Sequence, residues 1–398
     1  MAQPVATTTK VPATVWALGF VSMFMDISSE MIHALLPLFL VTTLGASTAV
    51  VGLIEGIAEA TASISKVYSG WLSDRLGNRK LLTVVGYALG ALTKPIFAIA
   101  VTPYEVLGAR FADRIGKGIR GAPRDALVAD VTPEEIRGKA YGVRQALDTV
   151  GAFTGPLLAI VLMLFYAGNM RAVFAWAILP GMIAVLIAIF GVEGKRRAKS
   201  SAQPETTIRF GDIRHAGFSY WSVVAIGASF TMARFSEAFL VLRAQNVGVV
   251  IEYAPAVMVV MNIAYALVAA PAGAWSDRYD RRRILALSLF PLLLADTALA
   301  LWPSVAGVTA GVVLWGVHMG MSQGLLAALV ADTVPERQRG TAFGVFNLIS
   351  GIVMFFASLL AGLLWAFVGP SATFLAGGGF ALLSLVGLGV LLLRPLSR

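Results

Sequence analysis

The segment RFADRIGKGIRGAPRD, residues 110–125, carries five basic side chains within an otherwise apolar chain. On an α-helix these side chains form one stripe, which comprises Arg110, Arg114, Lys117 and Arg124, with Arg120 at its edge. A charge at the centre of a bilayer costs roughly 2.5–3.5 kcal/mol on insertion scales, so the stripe is predicted to line a watery cavity or to meet acidic partners. Cations in a cavity bind carboxylates and phosphates, which predicts an anionic substrate. For Arg120 and Arg124, extension to the membrane surface is the alternative.

Acidic residues recur at helical spacing in two neighbouring apolar stretches. Asp26 and Glu30 share one helical face, and so do Glu55 and Glu59. Carboxylates that are crowded and partly desolvated can exchange a proton near neutral pH, especially beside a cation. We therefore predict that these four carboxylates, together with Arg110, couple transport to protons. The alternative is that they form ion pairs whose role is purely structural.

Other polar residues inside apolar stretches are candidates for substrate contact. Arg144 and Asp148 are spaced as an ion pair on one helix, and a structural pairing is their alternative role. The remaining candidates are Arg234, Glu237 and His318, with the neutral residues Tyr68, Tyr265, Trp315 and Gln323. Three histidines and no cysteine argue against metal transport, so no metal site is predicted.

The composition is that of a membrane protein. Hydrophobic residues make up 58% of the chain and charged residues 13%, whereas soluble domains carry about a quarter charged residues. Apolar stretches of spanning length occur twelve times, near 14–44, 49–72, 81–102, 104–130, 140–166, 171–193, 219–245, 251–275, 283–302, 304–331, 340–368 and 371–394. The polar start of the chain predicts that no signal peptide is removed.

Most Lys and Arg residues lie in the amino terminus, in alternate loops and at the carboxyl end. This distribution predicts a multi-pass protein of the inner (cytoplasmic) membrane with both termini in the cytoplasm. Because topology accounts for most of the net charge of +9, no nucleic-acid partner is predicted.

The chain contains an internal repeat. GWLSDRLGNRK at 70–80 matches GAWSDRYDRRR at 273–283, and ADVTPEEIRGKAYG at 129–142 matches ADTVPERQRGTAFG at 331–344. The two matches have nearly the same offset along the chain. Two parallel repeats imply a pseudo-twofold axis along the membrane normal, with a substrate path between the halves.

The longest polar segment separates the two repeats. We therefore predict an all-α membrane protein with a six-helix bundle at 1–193, a cytoplasmic linker at 194–217 and a second six-helix bundle at 218–398.

The repeated loops resemble the signature G-x-x-x-D-R-x-G-R-R of the major facilitator superfamily of transporters. Asn78 shifts the basic pair of the first copy by one position, and Asp280 replaces the second glycine of the second copy. The resemblance implies the major facilitator fold, with twelve transmembrane helices in two pseudo-symmetric bundles. It also implies a gating role for the matching residues Gly70, Asp74, Arg75, Gly77 and Arg79 in the first copy, and Gly273, Asp277 and Arg278 in the second.

The segment GVRQALDTVGAFTGP, residues 142–156, is similar to the antiporter motif of proton-coupled exporters in this superfamily. Gly151, Gly155 and Pro156 match the motif, whereas its two final glycines are replaced. Small residues allow close helix approach and proline allows a kink, so these three residues are expected to take part in gating. The resemblance further implies a coupling or gating role for Arg110, and it favours export.

The predicted function is proton-coupled secondary active transport by alternating access, as antiport export of a small organic anion or an amphipathic drug or metabolite. The alternatives are proton-coupled uptake of an organic anion and, in a different class, a non-transporting membrane receptor or lipid-handling protein.

The chain has no phosphate-binding loop and no nucleophile–base arrangement, so neither ATP-driven transport nor an enzyme is expected. No cofactor is predicted. The expected partners are the substrate, protons and the lipid bilayer, and the expected state is a monomer.

Overall fold

The computed structural model describes residues 10–76, 78–193, 217–276, 278–335 and 338–392. Every long regular element within these ranges is an α-helix. The helices, numbered here in chain order, are α1 Ala13–His33, α2 Thr48–Leu76, α3 Arg79–Ile99, α4 Pro103–Val131, α5 Arg137–Phe165, α6 Met170–Phe190, α7 Phe218–Ala233 with Ala238–Asn246, α8 Ala256–Ser276, α9 Arg281–Leu301, α10 Val305–Asp332, α11 Arg339–Phe367 and α12 Pro370–Leu392. The predicted all-α fold class is confirmed.

Eleven segments of the described chain are long and apolar enough to cross a membrane. Among the twelve described helices, α4 is the exception because the basic stripe interrupts its apolar sequence. Its 29 residues nevertheless extend roughly 43 Å at about 1.5 Å per residue, which is sufficient to cross a bilayer. α4 is therefore long enough to cross the membrane although its sequence is not apolar throughout.

Two of the helices are interrupted. α1 ends at His33, and a short helix followed by a π-helical turn continues its path to Thr43. The sequence predicts a seventh span at 219–245, and a candidate span lies there at Phe218–Asn246, although α7 is interrupted between Ala233 and Ala238.

Hydrogen bonds of Ser236 replace part of the lost helical bonding at the α7 break. Its backbone N–H donates to Ser358 Oγ at 3.3 Å, and its own Oγ accepts from the backbone N–H of Ala238 at 3.3 Å. Neither glycine nor proline marks this break in the sequence, so helical periodicity alone did not reveal it.

Helices α1–α6 pack mainly with one another, and so do α7–α12. The principal contacts between the two groups join α2 to α11 and α5 to α8. We call the end of the molecule where α1 begins and α12 ends the terminal face, and the other end the opposite face.

The two halves are closed together toward the opposite face. A Cβ placed on Gly52 of α2 would lie 2.3 Å from the backbone oxygen of Ser358, and one on Gly362 of α11 would lie 2.5 Å from that of Thr48. Such close backbone approach is available only to glycine, and it leaves no path between α2 and α11 at this level.

Glycines also fix the position of α4. A Cβ on Gly116 would lie 2.6 Å from the backbone oxygen of Gly86 in α3, and one on Gly118 would lie 2.2 Å from the Cβ of Ser65 in α2. α4 is thus wedged between α2 and α3, and its basic stripe is directed to the interior of the protein.

Candidate substrate and proton site

A central cavity lies between the two halves, on the terminal side of the closed contact. Its main part has a volume of ≈ 570 Å³ and its deep part ≈ 330 Å³. The two parts share the lining residues Glu30, Lys117, Ala152, Asn262 and Gln323, so they form one continuous space. Both halves contribute lining residues, as expected for a transporter whose substrate path lies between repeats.

Glu55 is a fully buried carboxylate at the closed end of the cavity. Arg110 Nη2 donates to both of its oxygens, at 3.1 and 2.9 Å, and His33 Nε2 lies 3.4 Å from Oε2. Ser236 Oγ from the second half also donates to Oε2, at 3.4 Å. Glu55 is 1% and Arg110 3% exposed, and buried charges of this kind persist only when closely paired. Glu55 therefore joins the two halves at the point where they close.

A second buried pair lies behind the stripe. Lys94 Nζ donates to Asp113 Oδ1 at 2.9 Å and to Ser29 Oγ at 3.0 Å. Arg120 is buried beside this pair, with its guanidinium 4.5 Å from the ring centre of Tyr87. Arg120 also borders the main cavity, so it is held within the protein rather than extended to the membrane surface.

Glu30 and Glu59 are held less tightly than Glu55. Glu59 lies 3.5 Å from Arg114 Nη2, and Glu30 lies 3.7 Å from His33 Nδ1. Their side chains are 37% and 25% exposed, and both border the deep cavity. These two carboxylates can therefore exchange partners without breaking a buried ion pair.

Other charged groups in the cavity have no ion pair or side-chain hydrogen bond with any described residue. Asp26 and Lys117 border the main cavity, and Lys117 extends into the deep part. Arg234 and Glu237, from the α7 break, border the deep part on the side of the second half. These groups are available to a ligand.

A further ion-pair network lies toward the terminal face. Arg144 Nη1 donates to Asp148 Oδ2 at 2.6 Å, and its Nε lies 3.7 Å from Asp125. Arg124 contacts the same Asp125 at 3.1 Å and donates to Ser22 Oγ at 2.9 Å. Arg124, Asp125 and Asp148 border the main cavity, which places this network around its entrance.

The wall formed by the second half is mostly uncharged. It presents Asn262 and Tyr265 of α8, Met319 and Gln323 of α10, and Asn347 of α11. The sequence predicts Tyr265 and Gln323 as candidates for substrate contact but not the two asparagines. Each is an amide within an apolar transmembrane stretch, and this is the signal that could have found them.

His318 does not border the cavity. Its ring is 1% exposed, its Nδ1 lies 2.7 Å from the backbone oxygen of Ser288, and it stacks on Phe230 at 6.0 Å. The expected substrate contact of His318 is therefore corrected to a packing role between α9 and α10. One helical residue further along, Met319 turns to the cavity instead.

The glycines of the predicted antiporter motif pack against α1. A Cβ on Gly151 would lie 2.9 Å from the Cβ of Asp26, and one on Gly155 would lie 2.7 Å from the Cβ of Glu30. These two glycines hold α1 close to α5 and so position both cavity carboxylates. Pro156 follows directly, inside α5.

The predicted gating loops are described only in part. Gly77 and Asp277 lie outside the described residues, as do the side chains of Asp74 and Arg75 and the surroundings of Gly70. Gly273 and Arg278 are exposed at the terminal face.

Arg79, at the start of α3, forms an ion pair with Asp130 at the end of α4. Its counterpart in the second half is Arg281 with Asp332, at 2.5 Å; Asp332 matches Asp130 in the sequence repeat, and Arg281 lies one position before the match of Arg79. Each pair braces two helices of the same half. In the second loop, hydrogen bonds from Arg282 hold the pKa of Asp280 below its ordinary value.

Comparison with known proteins gives a family and a fold. Residues 18–244 and 238–398 match the family model of the Major Facilitator Superfamily. An uncharacterized MFS-type transporter of Methanocaldococcus jannaschii is 31% identical over 376 residues, covering 93% of this chain and 92% of that protein. The gentisate transporter of Corynebacterium glutamicum is 26% identical, covering 87% of this chain and 80% of its own. The crystal structure of the nucleoside transporter NupG superimposes with a TM-score of 0.76 at 14% identity, covering 96% of this chain and 100% of that one.

Proposed function

We propose that this chain, which belongs to the Major Facilitator Superfamily of membrane transporters, carries a small organic anion. Transport would follow a proton-coupled cycle of alternating access. The observation that carries the proposal is the arrangement of Lys117, Arg114 and Glu59. One cation, Lys117, has no ion-pair partner among the described residues, and the second, Arg114, is loosely held by the half-buried carboxylate of Glu59.

The cavity suits a small carboxylate. Its main part, at ≈ 570 Å³, falls within the roughly 300–1,000 Å³ of small-molecule sites. Lys117 supplies a point charge, and the fork of Arg114 can bind a carboxylate through two hydrogen bonds. Amides on the facing wall, such as Asn262 and Gln323, can bind hydroxyl or carbonyl groups of the same molecule. Gentisate, the molecule named for one relative, is a carboxylate with ring hydroxyls, which supports this substrate class.

The same arrangement links the anion to a proton. An arriving carboxylate competes with Glu59 for Arg114 and Lys117. Glu59 then loses its counter-charge in a partly desolvated cavity, where the protonated form is favoured. Anion and proton therefore bind together, which supports co-transport, and with an inward proton gradient this is uptake.

Export by antiport is the second candidate. It is favoured by the resemblance of α5 to the antiporter motif and by the contacts that Gly151 and Gly155 make beside Asp26 and Glu30. In that cycle the proton and the substrate bind alternately instead of together.

We further propose that the membrane is the inner membrane and that the terminal face is cytoplasmic, so that the structure is inward-open.

Transport in oriented membrane vesicles tests the proposal. Labelled gentisate is offered to right-side-out vesicles with a proton gradient directed inward and to everted vesicles with a proton gradient directed outward. Accumulation in right-side-out vesicles supports co-transport, whereas accumulation only in everted vesicles supports antiport export. If neither gentisate nor any of a set of benzoates and dicarboxylates is accumulated, although one of them stabilises the purified protein, the chain is a receptor and the proposal is wrong.

Replacing the proposed proton carrier separates coupling from binding. Glu59→Gln is expected to keep substrate exchange at equal pH on both sides but to lose accumulation driven by the gradient. Glu134→Gln is the control, because Glu134 is exposed at the terminal face and lies outside the cavity. Accumulation at the wild-type level in Glu59→Gln would exclude Glu59 as the carrier.

A further inference from the structure

Asp296 of α9 is a buried acid that the proposed site does not use. It is 1% exposed, it borders neither part of the central cavity, and neither of its carboxylate oxygens has a hydrogen-bond partner. Among the described residues it forms no ion pair. An ionised carboxylate in such a place costs several kcal/mol, so its surroundings require an explanation.

Asp296 lies directly behind the α7 break. A Cβ on Gly377 of α12 would lie 3.0 Å from Asp296 Oδ2, 3.0 Å from the ring edge of Phe235 and 3.3 Å from the backbone oxygen of Ala233. The carboxyl group therefore shares one small gap with the last residue of the first α7 segment. Carbonyl groups at a helix end lack intrahelical partners, so that of Ala233 is an acceptor available in this gap.

No charge in the surrounding helices compensates Asp296. On α7, Arg234 and Glu237 border the deep cavity, and Arg243 donates to the backbone oxygen of Leu299. On α10, His318 is held by the Ser288 carbonyl. α12 and α8 carry no Asp, Glu, Lys, Arg or His within their described lengths, and the other charged residues of α9 lie at its terminal-face end.

The chemistry of this environment suits a neutral carboxylic acid. A protonated carboxyl group is a hydrogen-bond donor, whereas the ionised group only accepts. The gap offers an acceptor and a ring edge but no cation. Groups of three or more His, Asp or Glu residues that could hold a metal are absent from the described part of the chain.

We propose that Asp296 is a second proton-binding site, located behind the α7 break and separate from the cavity carboxylates. A proton from water adds to the carboxylate to give the neutral acid, whose O–H faces the Ala233 carbonyl. When α7 rearranges, water and the neighbouring Arg234 reach the group, the proton returns to water and Arg234 takes its place as counter-charge. The proton site stands on the geometry alone, and its use in transport rests on the proposed function.

Infrared spectroscopy of the purified protein in lipid nanodiscs at neutral pH tests the site without any substrate. Wild type is expected to show the carbonyl band of a protonated carboxylic acid, shifted in D₂O, and Asp296→Asn is expected to lose it. Glu193→Gln, which removes an exposed acid, is the matched control and should leave the band unchanged. A spectrum identical in wild type and Asp296→Asn would overturn the proposal, and so would a band that vanishes when NaCl replaces KCl.

A second variant covers the case in which Asp296→Asn does not fold. Gly377→Ala places a methyl group against Oδ2 and the Phe235 ring, so the band should shift while the acid is retained. An unshifted band in folded Gly377→Ala would contradict the assignment. Absence of gradient-driven transport in the wild-type protein would count against the proposed function but would leave the infrared result intact, so the two failures are distinguishable.

Discussion

The two walls of the central cavity differ in how they hold charge. The first half presents carboxylates and cations backed by buried ion pairs such as Glu55–Arg110 and Lys94–Asp113. The second half presents mostly amides, a tyrosine and methionines, and its two charged residues, Arg234 and Glu237, lie at the α7 break in the deep part. One wall can therefore supply charge recognition and proton exchange, while the other supplies shape and neutral hydrogen bonds.

The internal repeat allows the two cavity walls to be compared position by position. In the repeat register, Met319 of α10 occupies the position of Lys117 in α4, and both residues border the main cavity. Gly316 likewise stands at the position of Arg114. Charges are expensive within a membrane unless a network compensates them, so the concentration of charge on the first-half wall indicates that this wall recognises the charge of the substrate.

The largest expected effect comes from breaking the buried pair that underlies the charged wall. Arg110→Met leaves Glu55 ionised and buried, with only a histidine and a serine hydroxyl beside it. Loss of one partner of such a pair costs about 3–5 kcal/mol, so the thermal unfolding temperature in detergent should fall sharply and transport should be lost.

The double variant Glu55→Gln with Arg110→Met removes both charges together. It is expected to recover much of the unfolding temperature, since no isolated charge remains, but not transport. If the two single substitutions and the double substitution gave additive losses of stability, the pair would not be coupled, and its structural role would be refuted.

Sequence patterns anticipated the fold far better than the details of the site. The spacing of apolar stretches predicts all twelve helices, and the stripe on α4 is directed inward as the cost of exposing charge to lipid requires. Periodicity could not find the break in α7, because a hydrogen bond from the backbone N–H of Ser236 to the side chain of Ser358, distant in sequence, stabilises it. It also misplaced His318, since one residue of helical rotation separates a packing position from the cavity.

The sequence also could not rank the four first-half carboxylates. Glu55 and Glu59 share a helical face, yet one is sealed in an ion pair and the other is exposed. That difference depends on the neighbouring helices, which a single sequence does not position. The motif resemblance predicts a gating role for Gly151 and Gly155, and the structure adds a physical reason for glycine there, which is close contact with α1 at Asp26 and Glu30.

Exchanging residues between the two walls gives the next largest effect. Lys117→Met copies the second-half residue into the first, and it should weaken binding of anionic substrate at least tenfold, because a free cation is lost from a partly desolvated site. Binding is measured by substrate-induced thermal stabilisation over a range of concentrations. Lys139→Met is the control, because Lys139 is exposed at the terminal face.

The reciprocal change sharpens this test. Met319→Lys combined with Lys117→Met restores a cation to the same cavity from the other wall, so part of the anion affinity should return. An unchanged affinity in Lys117→Met would show that the charged wall does not bind the substrate.

The smallest effect is expected on the neutral wall. Asn262 of α8 donates weakly to the backbone oxygen of Ala152, at 3.5 Å, and otherwise faces the cavity. Asn262→Ala removes one neutral hydrogen-bonding group, which contributes about 0.5–1.5 kcal/mol, so substrate affinity should fall roughly two- to tenfold. The maximal transport rate and its dependence on the proton gradient should persist, because no titrating group is touched.

Ile263→Ala, one residue further and half exposed on the outer surface of α8, controls for truncation of this helix. A loss of gradient dependence in Asn262→Ala would mean that the neutral wall of the cavity also takes part in coupling, and the proposed difference between the two walls would then be wrong.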